Sequence, residues 1–402
     1  MVSWTMALLH GNIFVYAFSF WLTQPTLPFL LKELSADMLL FSRFQTFCSF
    51  LQLFGGPLAG RICDAFGFMP TLVLSQASAA LSYFLLASTS TVPMLFLSQL
   101  PTVFMHAMHA AQSAITMLCD NNQQAISMGR LSLSYGAGMV GGSYFGGVIA
   151  EAYSNQASAG LGCILSLIVI PLNIIILRQA SDSSAKKAAK DSVKTSMNFG
   201  QILVMLRDPS VLQLVVVQLL LGLAISIYRS TFSQVLREQM QLGRQEIGLV
   251  MSLSGATSIV SNGLLLQLFT KRYGNGNIVN GAAIVMAIAF LAYGHIPVTP
   301  ESLVYVLAIV TPMTAASSIA YTLLSSQMSR AVSDENRATA LGISHACRSF
   351  CGILAPTIGS VLFHAYACQM LGYTCAGLTG LAIVSGTFFR TMYYMPNHQK
   401  TE

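Results

Sequence analysis

Runs of about 20 apolar residues recur along the whole chain, and a helix of that length crosses about 30 Å of hydrocarbon while satisfying its own backbone hydrogen bonds. We count twelve, centred near Val15, Phe50, Ala79, Phe104, Met139, Leu167, Leu220, Ser254, Ile288, Thr314, Cys351 and Ile383. Charged residues make up only 8% of the 402, against roughly 25% in soluble proteins. The expected fold class is therefore an all-α polytopic membrane protein with 12 transmembrane helices, and what remains between the runs is too short for a separate soluble domain. The first run has no basic n-region and no small-residue cleavage site, so it is expected to stay as a helix.

The pattern is also doubled. Gly142-Ser143-Tyr144-Phe145-Gly146-Gly147 returns 213 residues later as Ala355-Pro356-Thr357-Ile358-Gly359-Ser360, and Ala125-Ile126-Ser127-Met128-Gly129 returns at the same offset as Ala338-Thr339-Ala340-Leu341-Gly342. Lys32-Glu33 is echoed by Arg237-Glu238, and Gly67 by Gly274. Two related halves, each too apolar for water, are the mark of transporters built from structural repeats. We expect two pseudo-symmetric six-helix bundles over residues 1–178 and 209–402, joined by a cytosolic linker over 179–208. That linker holds Ser181-Asp182-Ser183-Ser184 followed by Lys186, Lys187 and Lys190, a composition suited to a solvated, partly helical connection or to contact with anionic lipid heads.

Charge sets the orientation. Arg61, Arg130, Arg178, Lys194, Arg207, Lys271, Arg272, Arg330, Arg337, Arg390 and Lys400 join the linker lysines in even-numbered connections and the C-terminus, while odd-numbered connections hold only Lys32, Arg43, Arg237 and Arg244. Such asymmetry places the even loops and both termini in the cytosol. It also makes the net charge of +6 a topological signal, so nucleic acid is not an expected partner. No Asn-x-Ser/Thr acceptor occurs. The eight cysteines lack metal-ligand context; Cys368 and Cys375, near the last outer turn, read either as a disulfide or as small core residues.

Glycine and proline concentrate in particular helices. Gly136, Gly138, Gly142, Gly146 and Gly147 follow the small-xxx-small spacing that lets helix backbones approach closely, and Pro25, Pro28 and Pro356 remove backbone donors and bend helices. We assign Gly138, Gly142, Gly146, Gly147, Pro356 and Gly359 to helix packing and gating.

These residues resemble the major facilitator superfamily. The loop Gly60-Arg61-Ile62-Cys63-Asp64-Ala65-Phe66-Gly67-Phe68-Met69 is similar to the superfamily's Gly-x-x-x-Asp-Arg/Lys-x-Gly-Arg/Lys-Arg/Lys signature, with the basic positions replaced by Ala65, Phe68 and Met69. Gly136 to Gly147 resemble its antiporter-type Gly-x-Gly-x-x-x-Gly-Pro-x-x-Gly-Gly pattern, with Ser143 at the proline. The resemblance implies a cytosolic gate at Gly60, Asp64, Gly67 and Arg130. Phe44-Gln45-Thr46, Leu51 to Pro57, Met105-His106, Ala110-Ala111-Gln112, Gly129-Arg130-Leu131, Gly142-Ser143 and Pro356-Thr357 further resemble the organic cation transporter-like solute carriers. That likeness implies a small organic cation as substrate, exchanged for protons. The large loop that organic ion transporters of that group carry after the first helix is here only a few residues long.

The candidate cavity residues are polar groups at the depth of the membrane core. No Asp or Glu lies near the middle of any helix, since Asp64, Asp120, Glu151, Glu301, Asp334 and Glu335 fall near ends or in loops. Histidine is then the expected proton carrier: His106 and His109 share a face of the fourth helix, and His345 lies in the eleventh. Arg348 is about twelve residues into that helix, near the midplane by helix rise. An intramembrane cation faces a water-filled cavity, helix carbonyls or a substrate anion. Arg229, near the outer end of the seventh helix, is expected to snorkel to the interface. Tyr16, Gln24, Gln45, Gln112, Gln218 and Tyr321 complete the expected pocket, with Asn12, Trp21, Gln52 and Gln213 on the same helices. Each of these also reads as an ordinary packing residue. No catalytic residue, metal site or cofactor is expected. Three functions stay open: transport of an organic cation, transport of an organic anion or zwitterion, and a non-transporting receptor or adaptor acting through the linker.

Overall fold

The computed structural model describes residues 2–35, 38–119, 121–188, 205–297, 299, 302–332 and 337–394, and all regular structure among them is helical. The elements run α1 (Val2–Thr23), α2 (Leu27–Glu33), α3 (Met38–Phe66), α4 (Phe68–Ala87), α5 (Val92–Gln99), a 3₁₀ turn (Leu100–Phe104), α6 (Ala107–Leu118), α7 (Asn121–Ala152) and α8 (Asn155–Ala188). They continue as α9 (Pro209–Glu238), α10 (Arg244–Val260), a π turn (Ser261–Leu265), α11 (Leu266–Arg272), α12 (Asn275–Gly294), α13 (Ser302–Arg330) and α14 (Arg337–Tyr394). Asp64's side chain, most of the 179–208 linker with Lys190 and Lys194, and the side chains of Arg178, Lys186, Lys187, Arg337, Arg390 and Lys400 lie outside the described residues.

Eight segments are long and apolar enough to cross a membrane among the described residues. Three expected spans are not among them, and the runs near Cys351 and Ile383 fall in one. The run centred on Phe104 is not a continuous helix: Pro93 and Pro101 each open a short segment, and Met105 (ψ 65°) and His106 (ψ 42°) leave helical geometry before α6 begins. The runs of α3 and α7 are long, at 29 and 32 residues, but are diluted by Ser, Gln, Asn and Gly. Pro356 lies within α14 without ending it; the interruption comes at Ala367, which adopts φ 57° and ψ −162°.

Local chemistry explains the other boundaries. Pro25 falls in the turn at 24–26 that separates α1 from α2, as a missing backbone donor requires. Asp208 caps α9 by accepting from the Ser210 backbone N–H at 2.8 Å, with Pro209 at the first helical position, where its lost donor costs nothing. Gly67 joins α3 to α4 at φ 86° and ψ 172°, a conformation that a residue with a Cβ avoids. Its repeat partner Gly274 has an ordinary φ of −69°, so the two halves share a glycine there but not the need for one.

Two compact units form, Met1–Lys194 with Leu242–Ala256, and Thr195–Gln241 with Thr257–Glu402. In the first, the most extensive packing is α7 on α1. A Cβ built on Gly138, Gly142 or Gly146 would fall on the carbonyl oxygen of Phe14, Phe18 or Leu22 respectively. The steps are four residues on both helices, so one stripe of α7 runs bare against one row of α1 carbonyls, close enough for Cα–H···O contacts. The adjacent face of α7 receives α10 by the same means: Gly147 meets the Arg244 carbonyl, and Gly248 lies on that of Ser143. In the second unit the most extensive packing is α14 on α9, through residues at the repeat offset. Cys351 donates its thiol to the Leu219 carbonyl at 3.6 Å, Ala355 is fully buried, and a Cβ on Gly359 would meet Thr231 Cγ2 at 2.6 Å.

Candidate functional site

The second unit contains a polar cavity of about 220 Å³. It is walled by Gln218, Ser226 and Arg229 from α9, Ser258 from α10, Asn262 from the π turn, Ser317, Ser318, Tyr321 and Thr322 from α13, and Arg348 from α14. Arg348 is exposed; its Nη1 donates to Tyr321 Oη at 3.0 Å, and its Cζ lies 4.8 Å from the centroid of the same ring. One aromatic residue thus holds the guanidinium by both a hydrogen bond and a cation–π contact. Ser258 and Ser318 hydroxyls are 2.9 Å apart, Thr322 Oγ1 donates to Asn262 Oδ1 at 2.9 Å, and Asn262 Nδ2 donates to the Ser258 carbonyl at 3.2 Å. The π turn supplies Asn262, and such single wide turns recur at functional sites.

The electrostatics follow from the lining: Arg229 and Arg348 both line this cavity, and among the described residues no carboxylate does. Arg229, expected at the interface, is exposed and is also one of the residues lining this cavity. Counting residues gives depth along a helix but not direction around it, and Arg229 belongs to the same wall as Arg348.

The remaining candidates divide. Gln218 is 5% exposed and is engaged with α14, donating to the Ser344 carbonyl at 3.4 Å and accepting from the Ser344 hydroxyl at 3.1 Å. His345 is exposed but is not among the lining residues. In the first unit, His106 sits at the break before α6, its ring stacked on that of His109 at 5.3 Å and 9°. Tyr16 is 8% exposed, and its hydroxyl donates to the Met105 carbonyl at that break. Tyr16 therefore repairs a gap in backbone bonding. Asn12 is likewise committed, donating to Asn173 Oδ1 and accepting from Gln76 Nε2 at 2.9 Å, all three side chains being at most 4% exposed. Gln213 donates to the Gly386 carbonyl at 3.0 Å. Gln24, Gln45 and Gln112 are half-buried.

Of the gate residues, Arg130 is exposed on α7, Gly60 has open space where a Cβ would stand, and Gly67 has the strained φ given above. Cys368 and Cys375 are free thiols that donate to the Tyr293 carbonyl at 3.5 Å and the Ala224 carbonyl at 3.4 Å, so of the two readings they follow the core one. The sequence reading missed Ser258, Asn262, Ser317, Ser318 and Thr322. Their signal was present as hydroxyl and amide groups at i, i+4 spacing, Ser258 with Asn262 and Ser318 with Thr322, inside apolar helices.

A second charged cluster lies in the first unit. Arg244 Nε donates to Asn155 Oδ1 at 2.9 Å, and its guanidinium lies 3.3 Å from Glu33 and 3.6 Å from Glu151. Asn155 Nδ2 in turn donates to Glu33 Oε1 at 2.6 Å, and the Phe29 ring centroid is 5.0 Å from Arg244 Cζ.

Comparison with known proteins agrees with this architecture. The family model described as Major Facilitator Superfamily matches residues 9–356. Solute carrier family 22 member 18 of Mus musculus is 28% identical over 360 residues, covering 86% of each chain. Solute carrier family 67 member A1 of Homo sapiens is 27% identical over 373 residues, covering 89% of this chain and 85% of its own. Among solved structures, the nucleoside transporter NupG superposes with a TM-score of 0.76 at 16% identity, covering 96% of this chain and 98% of its own.

Proposed function

The chain belongs to the Major Facilitator Superfamily, and from that premise we propose that it is a secondary active transporter that moves a small organic solute across a membrane by alternating access. In this reading twelve spans form two six-helix bundles, 1–178 and 209–402, joined by the cytosolic linker 179–208, with both termini cytosolic. The α1–α2 pair, the α5–α6 pair and the α10–α11 pair each count as one span, and α14 counts as two, divided at Ala367.

Resemblance to the organic cation transporter-like carriers implies an organic cation exchanged for protons, and if protons are coupled His106, His109 and His345 are the carriers by their side-chain chemistry. One observation favours a different charge. Arg348 and Arg229 line the second-unit cavity and, among the described residues, no carboxylate does, an arrangement that repels a cation and attracts an anion or the carboxylate of a zwitterion. We therefore assign Arg348, Tyr321 and Gln218 to solute binding, with Asn262 and Ser318 added. Gln24, Gln45, Gln112 and Tyr16 belong to the first-unit wall or its support. Gly60, Asp64, Gly67 and Arg130 form the cytosolic gate.

Uptake into proteoliposomes, with matched cationic, anionic and neutral solutes and with or without a pH gradient, tests both charges. We expect anions or zwitterions to enter, and Arg348→Ala to weaken half-saturation by roughly 10- to 150-fold, the value of a charge-assisted hydrogen bond. Exchange of cations alone against protons sinks the anion reading. Full activity of a folded Arg348→Ala protein removes that residue from the site.

A further inference from the structure

A second cavity of the same unit, about 480 Å³, is lined from α11, α12 and α13 and is far more apolar than the first. Phe269, Tyr273 and Ile319 give it apolar walls. Small residues line it, the exposed Gly281 and buried Ala282 on α12 and the buried Ala316 on α13. Pro312 contributes to the same hollow from within α13. Along most of its length the groove offers no polar partner, so a solute with polar groups throughout gains nothing there.

Polarity appears at one end only. Tyr273 and Asn277 close that end. Directly before them in the chain stand Lys271 and Arg272, both exposed, and Arg272 Cζ lies 6.0 Å from the centroid of the Tyr273 ring that lines the groove. An apolar channel that ends in two cations is complementary to a molecule with a long hydrocarbon tail and an anionic head. In a chain that spans a membrane, that molecule is a lipid.

We propose that this groove is a binding site for one anionic phospholipid, with an acyl chain laid along Phe269, Gly281 and Ile319 and the phosphate held by Lys271 and Arg272. The basic residues supply the selection, since a zwitterionic lipid of the same chains fills the groove equally but its choline cation offsets its phosphate and leaves no net negative charge for the pair to neutralise. Attraction of roughly 1 kcal/mol for each basic residue near an anionic surface corresponds to roughly thirtyfold for the pair. The proposal does not depend on which solute the first cavity takes. It rests on the proposed topology only for the leaflet, which the positive-inside pattern makes the cytosolic one.

The test is native mass spectrometry of the full-length protein released from detergent, titrated with palmitoyl-oleoyl phosphatidylserine or with the phosphatidylcholine of the same chains. We expect phosphatidylserine adducts to form at lower lipid concentration. Lys271→Gln with Arg272→Gln should remove that preference, roughly thirtyfold for two charges, while Lys271→Arg retains it. A Cβ at Gly281 meets nothing within 4 Å, so Gly281→Leu fills the groove without striking backbone and should weaken both lipids. Equal binding of the two lipids by the parent protein, or a preference that survives loss of both charges, overturns the proposal in favour of non-selective annular lipid. A dimer that dissociates on Gly281→Leu, with lipid adducts unchanged, overturns it in favour of a second copy.

Discussion

Adding one methyl group at Gly146 is the sharpest test of how α7 meets α1. A Cβ there would fall on the Leu22 carbonyl oxygen, with the Leu22 carbonyl carbon at 2.8 Å and its Cα at 2.9 Å. All three are backbone atoms, so no rotamer change relieves the clash, and contact at about 3.5–4.0 Å requires the helices to part by about 1 Å. Overpacking of this kind costs about 1–3 kcal/mol. Working against it is the helix propensity of alanine, better than glycine by about 1 kcal/mol, which could hide the clash in a single measurement. Gly160 on α8 separates the two, because a Cβ there meets nothing within 4 Å. Gly160→Ala takes the propensity gain alone, so Gly146→Ala should be the less stable of the two by about 1–3 kcal/mol. Unfolding of both variants by sodium dodecyl sulfate in mixed micelles, followed by circular dichroism, gives the difference. Equal stability would show that α7 and α1 do not approach through this stripe, and the account of the glycine pattern would fail with it.

Other perturbations bear on separate features. Ala367 holds a conformation that glycine adopts freely, so Ala367→Gly should raise stability by about 1 kcal/mol; a loss in the same micelle assay refutes strain at that joint. Asn12→Leu strips partners from buried Gln76 and Asn173 and should cost about 3 kcal/mol, two orphaned amides at about 1–3 each. Adding Gln76→Leu should recover part of that loss, and strict additivity of the two would disprove the network. Glu33 and Glu151 are half exposed at 47% and 55%, so Glu151→Gln should cost less than about 0.5 kcal/mol. Arg244→Met, which takes the donor from Oδ1 of the 2%-exposed Asn155, should cost about 1–2 kcal/mol; the reverse ranking refutes the assignment of the cluster's strength to Asn155.

The parts legible in the sequence were those imposed by the backbone's demand for hydrogen bonds. Apolar runs near Leu220 and Ile288 had no alternative to helix, and both are helical throughout. The glycines of α7 were legible as a close-packing face because their spacing repeats with the helix. The break at Met105 and His106 was less so, although Pro93 and Pro101 stood beside it, because hydropathy averages across a short irregular stretch. No residue type announces the π turn at Ser261–Leu265, and without it the direction of Asn262 was beyond reach. Tyr16, Asn12 and Gln213 carry two readings in the sequence, pocket lining and ordinary packing, because polar groups in apolar helices suit both. In the structure they answer carbonyls and amides of neighbouring helices, which a single chain's periodicity does not reveal.

The joint at Ala367 is one residue long, and the Cys368 N–H beyond it is fixed by Gln239 Oε1 at 3.1 Å. A connection that short has no slack. Any tilt between the 337–366 and 368–394 arms is concentrated in the backbone angles at Ala367, which makes this residue the elbow of α14. Arg348 lies about 19 residues from that elbow, nearly 30 Å of helix at 1.5 Å per residue. A rotation of about 10° there would therefore carry the guanidinium about 5 Å, the scale of one helical turn.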